Sequence, residues 1–125
     1  MKITTLNNNI LFIDYSGVIT HKQGILNMEI IEKSIRELAL SKKTVALVFD
    51  IRNTIWENQE THNTLSAVSR KKFNASNFGF TIYTAIVNNR YEHLAFENEH
   101  WFYDKISAIK WLQIKIQDIK SNTTL

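Results

Sequence analysis

The 125-residue sequence has no cysteine, no proline and only three glycines. The missing cysteines exclude disulfides, thiolate metal sites, thiol nucleophiles and redox switches, and suit a reducing compartment. With no proline and so little glycine there is no flexible linker or low-complexity tract, and no internal repeat is visible, so one domain over residues 1–125 is expected. No window approaches the ~20 apolar residues of a membrane span, and Asn7-Asn8-Asn9 interrupts the amino terminus before any apolar run reaches signal-peptide length. A cytoplasmic protein without stable membrane insertion is expected.

Strong charge of either sign is lacking too. Fifteen Lys and Arg against twelve Asp and Glu leave a formal charge of +3, short of the concentrated basic face of a nucleic-acid binder, and no nucleic-acid partner is expected. The densest basic run, Arg70-Lys71-Lys72 beside Phe73, belongs to a helix that would spread it around a solvated face. The 44% hydrophobic content is that of a globular chain rather than a disordered one. A domain of this size buries roughly two thirds of its unfolded surface, enough for a core without staples.

What is present is a succession of periodic segments. Lys2 to Leu6, an asparagine turn and Ile10 to Ser16 read as a β-hairpin, because asparagine tolerates the positive φ of tight turns. From Gly24 to about Leu40 the apolar residues Ile25, Met28, Ile31, Ile35 and Leu38 recur at helical steps. Thr44 to Ile51 is almost continuously apolar and closes on Asp50, the pattern of a central strand buried on both faces. A polar stretch, Arg52 to Asn58, leads to a helix from Glu60 to about Asn74. Thr81 to Val87 follows as a strand, Tyr91 to Glu97 as a short helix, Trp101 to Tyr103 as a short strand, and Asp104 or Lys105 to Ile119 as a closing helix. The order ββαβαβαβα predicts an α/β domain with a mixed sheet, parallel except for the opening hairpin.

This arrangement resembles the SpoIIAA-like branch of the STAS superfamily. The resemblance is carried by Ile10 to Thr20, a strand running into Gly17; by Val45 to Arg52, a strand ending in Asp50; by Ala85-Ile86-Val87; and by Phe102-Tyr103-Asp104 through Ala108-Ile109-Lys110-Trp111-Leu112. It implies a SpoIIAA-like (STAS-like) mixed sheet packed with helices and a non-enzymatic module, in a family where regulation, nucleotide or lipid binding and partner docking are all represented. The chain departs from the pattern in two places. Anti-anti-sigma factors of that family carry an Asp-Ser-Ser-Gly-type turn holding a phosphorylated serine, where this chain reads Arg52-Asn53-Thr54-Ile55-Trp56-Glu57-Asn58. The piece between Val87 and Trp101 leaves room for only a truncated third helix.

Ligands of parallel sheets gather outside the carboxyl ends of the strands, so Asp50, Arg52, Asn53, Thr54 and Trp56 are the candidate ligand-binding residues. Thr54 and Thr61 are candidate phosphate acceptors near the start of the second helix. The bland alternative is that Asp50 and Arg52 pair while Trp56 packs on a helix. His21, His62, His93 and His100, even with Glu97 and Glu99, show no metal-ligand spacing, and neither a metal nor another cofactor is expected. No Gly-x-Ser-x-Gly elbow and no phosphate loop occurs. The leading expectation is a binding or regulatory module acting on a protein partner or a small apolar or anionic ligand, with a homodimer left open. A lipid or hydrophobic-ligand carrier is the alternative and requires an enclosed cavity lined by residues such as Phe12, Met28, Phe49 and Trp111. An enzyme at the strand end is the competing class and requires at least two of Asp50, Arg52, His62 and Tyr91 to converge in a pocket.

Overall fold

The computed structural model describes residues 1–7, 9–41, 44–89 and 98–123. The opening hairpin pairs β1 (Lys2–Leu6) antiparallel with β2 (Ile10–Asp14), and Asn7 takes a φ of 50° at the turn, a conformation that costs asparagine less than most residues. A short strand β3 (Gly17–Ile19) precedes helix α1 (His21–Ala39). The central strand β4 (Val45–Asp50) is followed by a second short strand β5 (Thr54–Trp56), helix α2 (Gln59–Lys72) and the single turn α3 (Ala75–Phe78). Strands β6 (Ile82–Val87) and β7 (Glu99–Phe102) and helix α4 (Lys105–Thr123) complete the described elements. The short helix expected over residues 91–97 lies outside the described residues.

Five strands form one mixed sheet in the order β1-β2-β4-β6-β7, with β2, β4, β6 and β7 parallel. Strand β4 is central, as its unbroken apolar run requires. Along each strand alternate residues face opposite layers. Leu11, Ile13, Leu47 and Phe49 pack with α1 and α2 through Ile31, Ile35 and Leu65, while Ile10, Ala46, Val48, Ala85 and Val87 pack with α4 through Ala108, Leu112 and Ile116. No helix among the described residues is long and apolar enough to cross a membrane.

Two corrections to the sequence reading concern this architecture. Strands β3 and β5 were not expected: they pair parallel as a separate two-stranded ribbon, with Val18 opposite Ile55. They arise because β2 and β4 are parallel neighbours, so the segments leaving their carboxyl ends run side by side. Gly17, at a φ of 94°, makes the turn into the ribbon in a conformation that side chains disfavour. Helix α1 also starts at His21 rather than Gly24, because the Thr20 hydroxyl accepts a hydrogen bond from the Gln23 amide and caps the helix. Gly24 sits inside the helix where α1 meets α2, and a Cβ there would lie 2.3 Å from Cδ1 of Leu65.

Candidate ligand-binding site

Helix α2 is capped by Asn58, whose side-chain oxygen accepts from the Thr61 amide at 2.7 Å. It presents His62, Leu65, Ser66, Ser69, Arg70 and Phe73 at successive three- and four-residue steps, one face of a helix. Leu65 and Phe73 are core residues. The serines between them are too short to reach the sheet, and a pocket of about 70 Å³ opens beneath them. Phe49, Ile86 and Trp101 form its floor, and Tyr15 and Trp56 close one end.

The end wall is aromatic. Trp56 lies flat on His62, ring centroids 4.6 Å apart and planes 4° from parallel, and meets Tyr15 at 6.1 Å. The Tyr15 hydroxyl accepts from Asn27 at 3.2 Å, and the Asn27 side-chain oxygen accepts from Gln23 at 2.9 Å. Burial pushes the Tyr15 phenol above its ordinary pKa, and the Asn27 hydrogen bond offsets part of that rise.

At the other end, Oε2 of Glu99 accepts from Nη2 of Arg70 at 3.3 Å, from Nε of Arg70 at 3.4 Å and from Nε1 of Trp101 at 3.4 Å. Beyond this contact lies a second hollow of about 200 Å³, lined by residues including Phe73, Ile82, Thr84 and Asn98. Ser69, Arg70 and Glu99 line both hollows. The two hollows therefore adjoin between α2 and strands β6 and β7, with the ion pair at their junction.

The candidate residues at the end of β4 do not form one site. Asp50 holds Arg52 through a forked ion pair, Nε to Oδ1 at 3.0 Å and Nη2 to Oδ2 at 2.8 Å, and also accepts from the Arg52 amide. Burial works to raise the Asp50 carboxyl, but its hydrogen bonds and charge contact with Arg52 outweigh that and hold it below the usual aspartate value. Asp50 points to the α4 side of the sheet and Trp56 to the α1–α2 side, so only Trp56 reaches the pocket. The Asn53 carbonyl accepts from the Gly17 amide and the Thr54 hydroxyl donates to the Tyr15 carbonyl, both tying the ribbon to the strand ends. Thr61 is buried in the first turn of α2.

Other expectations resolve by placement. Met28 and Phe49 line the pocket, whereas Phe12 and Trp111 pack with the α4 core on the opposite face, so the cavity drawn for a carrier from these four residues does not form. Of the four residues named for an enzyme, Asp50 and Arg52 meet only in their own ion pair, His62 lies on the other face, and Tyr91 is outside the described residues. Lys72 pairs with Glu32 at 3.1 Å and Phe73 is core, so the basic run is not interleaved with an exposed aromatic. His100 stacks on Trp111 at 4.5 Å, and among the described residues no three acidic, histidine or cysteine side chains gather as a metal-binding group. Tyr15, Ser66, Ser69, Arg70, Glu99 and Trp101 also line the pocket without being expected from the sequence. The helical spacing of 62, 65, 66, 69 and 70 was the available signal, since small polar residues on an inward face mark a gap.

No family model and no curated protein matches the chain. A solved structure does: an uncharacterized protein of the DUF3478 family from Shewanella loihica PV-4, described as having a SpoIIAA-like fold. It superposes with a TM-score of 0.58 over 89% of this chain and 90% of that one, at 16% sequence identity. The fold is SpoIIAA-like. At that identity the likeness carries architecture alone, and the SpoIIAA-like sheet with helices on both faces agrees with the resemblance drawn from the sequence.

Proposed function

We propose that this SpoIIAA-like domain is a non-enzymatic binding module that seats a small, largely apolar ligand in the groove under α2. The observation that carries the reading is the inward face of α2, where Ser66 and Ser69 leave space between buried Leu65 and Phe73 and open it onto Phe49, Trp56 and Trp101. Concave, mainly apolar sites with a few placed polar groups are the usual form of small-molecule sites. Tryptophan and tyrosine rings supply large contact area with few rotatable bonds, so holding them costs little conformational entropy. The polar groups at its edge are Arg70, which bonds Glu99, and His62, whose ring lies on Trp56.

The test is a fragment screen read by two-dimensional amide NMR on the full chain. Apolar and aromatic fragments are expected to shift amides of α2, β6, β7 and the Trp56 indole, and Trp56→Ala and Ser69→Leu to weaken those shifts. Shifts confined to other surfaces, or none at millimolar fragment, would remove the reading.

A protein partner is the second reading, favoured by Val18 and Ile55. These register partners in the small ribbon are 66% and 62% exposed, a paired apolar patch on the outer side of the domain. A second copy of the chain is the occupant most directly tested: sedimentation of wild type against a Val18→Lys, Ile55→Lys variant is expected to show self-association lost in the variant, and a monomeric wild type rejects that occupant.

A further inference from the structure

The pocket is bounded by a group whose chemistry narrows the ligand. Three N–H donors, two from Arg70 and one from the Trp101 indole, converge on one oxygen of Glu99. That is a built carboxylate-binding set, occupied by a carboxylate of the protein itself. All three contacts are 3.3–3.4 Å long, beyond the usual range of about 2.7–3.2 Å for N–H···O bonds, where such bonds weaken. The pair is partly sheltered, with 27% and 13% of the Arg70 and Glu99 side chains exposed, so its charges are less screened than at an open surface.

The pair also stands at the junction of an apolar hollow of about 70 Å³ and a wider one of about 200 Å³. A cavity of roughly 150 Å³ takes a benzene ring, so the inner hollow alone admits only a short apolar group. A larger ligand extends through the junction, past Arg70 and Glu99.

We propose that the ligand is a small amphiphilic carboxylate whose apolar end enters the aromatic hollow and whose carboxylate replaces that of Glu99 on Arg70 and Trp101. Glu99 is then an internal competitor that holds the donor set when no ligand is present. The inference rests on the pocket reading above and adds the charge of the ligand to it. An anionic ligand meets donors already arranged for a carboxylate, and Glu99 turns aside in exchange. Glu99 repels the incoming carboxylate in either position, so removing its charge has a definite sign.

The experiment is an NMR titration of the full chain with hexanoate and with hexanol, which share the apolar tail, using wild type, Glu99→Gln and Arg70→Gln. Arg70→Lys is a further variant that keeps the charge without the planar fork, and amide spectra confirm folding of each. Hexanoate is expected to bind Glu99→Gln about tenfold more tightly than hexanol, a difference typical of one charge-assisted contact, whereas in wild type the exchange with Glu99 cancels most of that preference. Glu99→Gln is expected to strengthen hexanoate binding several-fold over wild type and leave hexanol unchanged, and Arg70→Gln to bring hexanoate down to the level of hexanol or below it. Equal binding of the two compounds by Glu99→Gln, or weaker hexanoate binding by Glu99→Gln than by wild type, overturns the inference while the pocket reading stands. Binding of neither compound at the groove overturns both.

Discussion

Trp56 and His62 stack face to face, 4.6 Å between centroids and 4° between planes, and so join the end of β5 to the first turn of α2. The contact fixes the end wall of the pocket and the helix that roofs it at the same time.

Loss of that stack is expected to loosen both. His62→Ala should lower stability by about 1 kcal/mol, the scale of an aromatic pair, while His62→Phe retains most of it. Urea midpoints of the two variants against wild type measure the difference, and an unchanged midpoint for His62→Ala would show that the stack contributes nothing.

The forked Asp50–Arg52 contact predicts a dependence on acid. The folded-state pKa of Asp50 is depressed, so its contribution is fully present above the unfolded aspartate value, about 3.9. It is lost as pH falls through the lower folded value. Asp50→Asn should cost about 0.5–1 kcal/mol at neutral pH, because the Arg52 side chain is about a third exposed and solvent screens the pair. The gap between the two proteins should close as the pH drops below that of ordinary aspartates. Chemical denaturation at neutral and acid pH reads this directly, and a gap of constant size would rule out Asp50 as its source.

Gly24 lies where α1 and α2 approach each other, and an added Cβ meets three side-chain atoms of Leu65 within 3.1 Å. In an exposed helix a change from glycine to alanine gains about 1 kcal/mol. Here the buried Leu65 must move, and overpacking of a core costs about 1–3 kcal/mol, so Gly24→Ala is expected to destabilise by about 1 kcal/mol net. Combined with Leu65→Ala it should cost less than the sum of the single changes, because the clash is gone. Additive effects in a double-mutant cycle would contradict the close approach.

Asn58 holds the start of the helix that carries the pocket. Asn58→Ala should lower stability by about 0.5–2 kcal/mol through loss of the cap, and Asn58→Asp should preserve it, since Asp also accepts from the Thr61 amide. Hydrogen exchange is expected to accelerate first at the amides of the first turn of α2. Uniform acceleration along the chain would indicate a global effect instead.

Much of the fold was legible because the patterns that encode it are local. Val45 to Phe49 reads as a central strand from its continuous apolar run, and Met28, Ile31 and Ile35 mark the buried stripe of α1. The ribbon was not legible, because a strand of three residues has no period to detect and its partner lies across a crossover. Among the site candidates, Asp50 and Trp56 are close in sequence but end on opposite faces. Periodicity within an element says which residues share a face, and it does not carry across the turn at Arg52 and Asn53.

By itself, then, the sequence determined the α/β class, the central strand and the existence of the second helix around Leu65. Local chemistry decides these, through burial patterns repeating at 2 or 3.6 residues. Only the tertiary structure decided that Ser66 and Ser69 leave a hollow and that Arg70 meets Glu99, 29 residues away. Those facts depend on the distance between a helix and a sheet and on which strand lies at the edge, and both are set by packing of the whole chain.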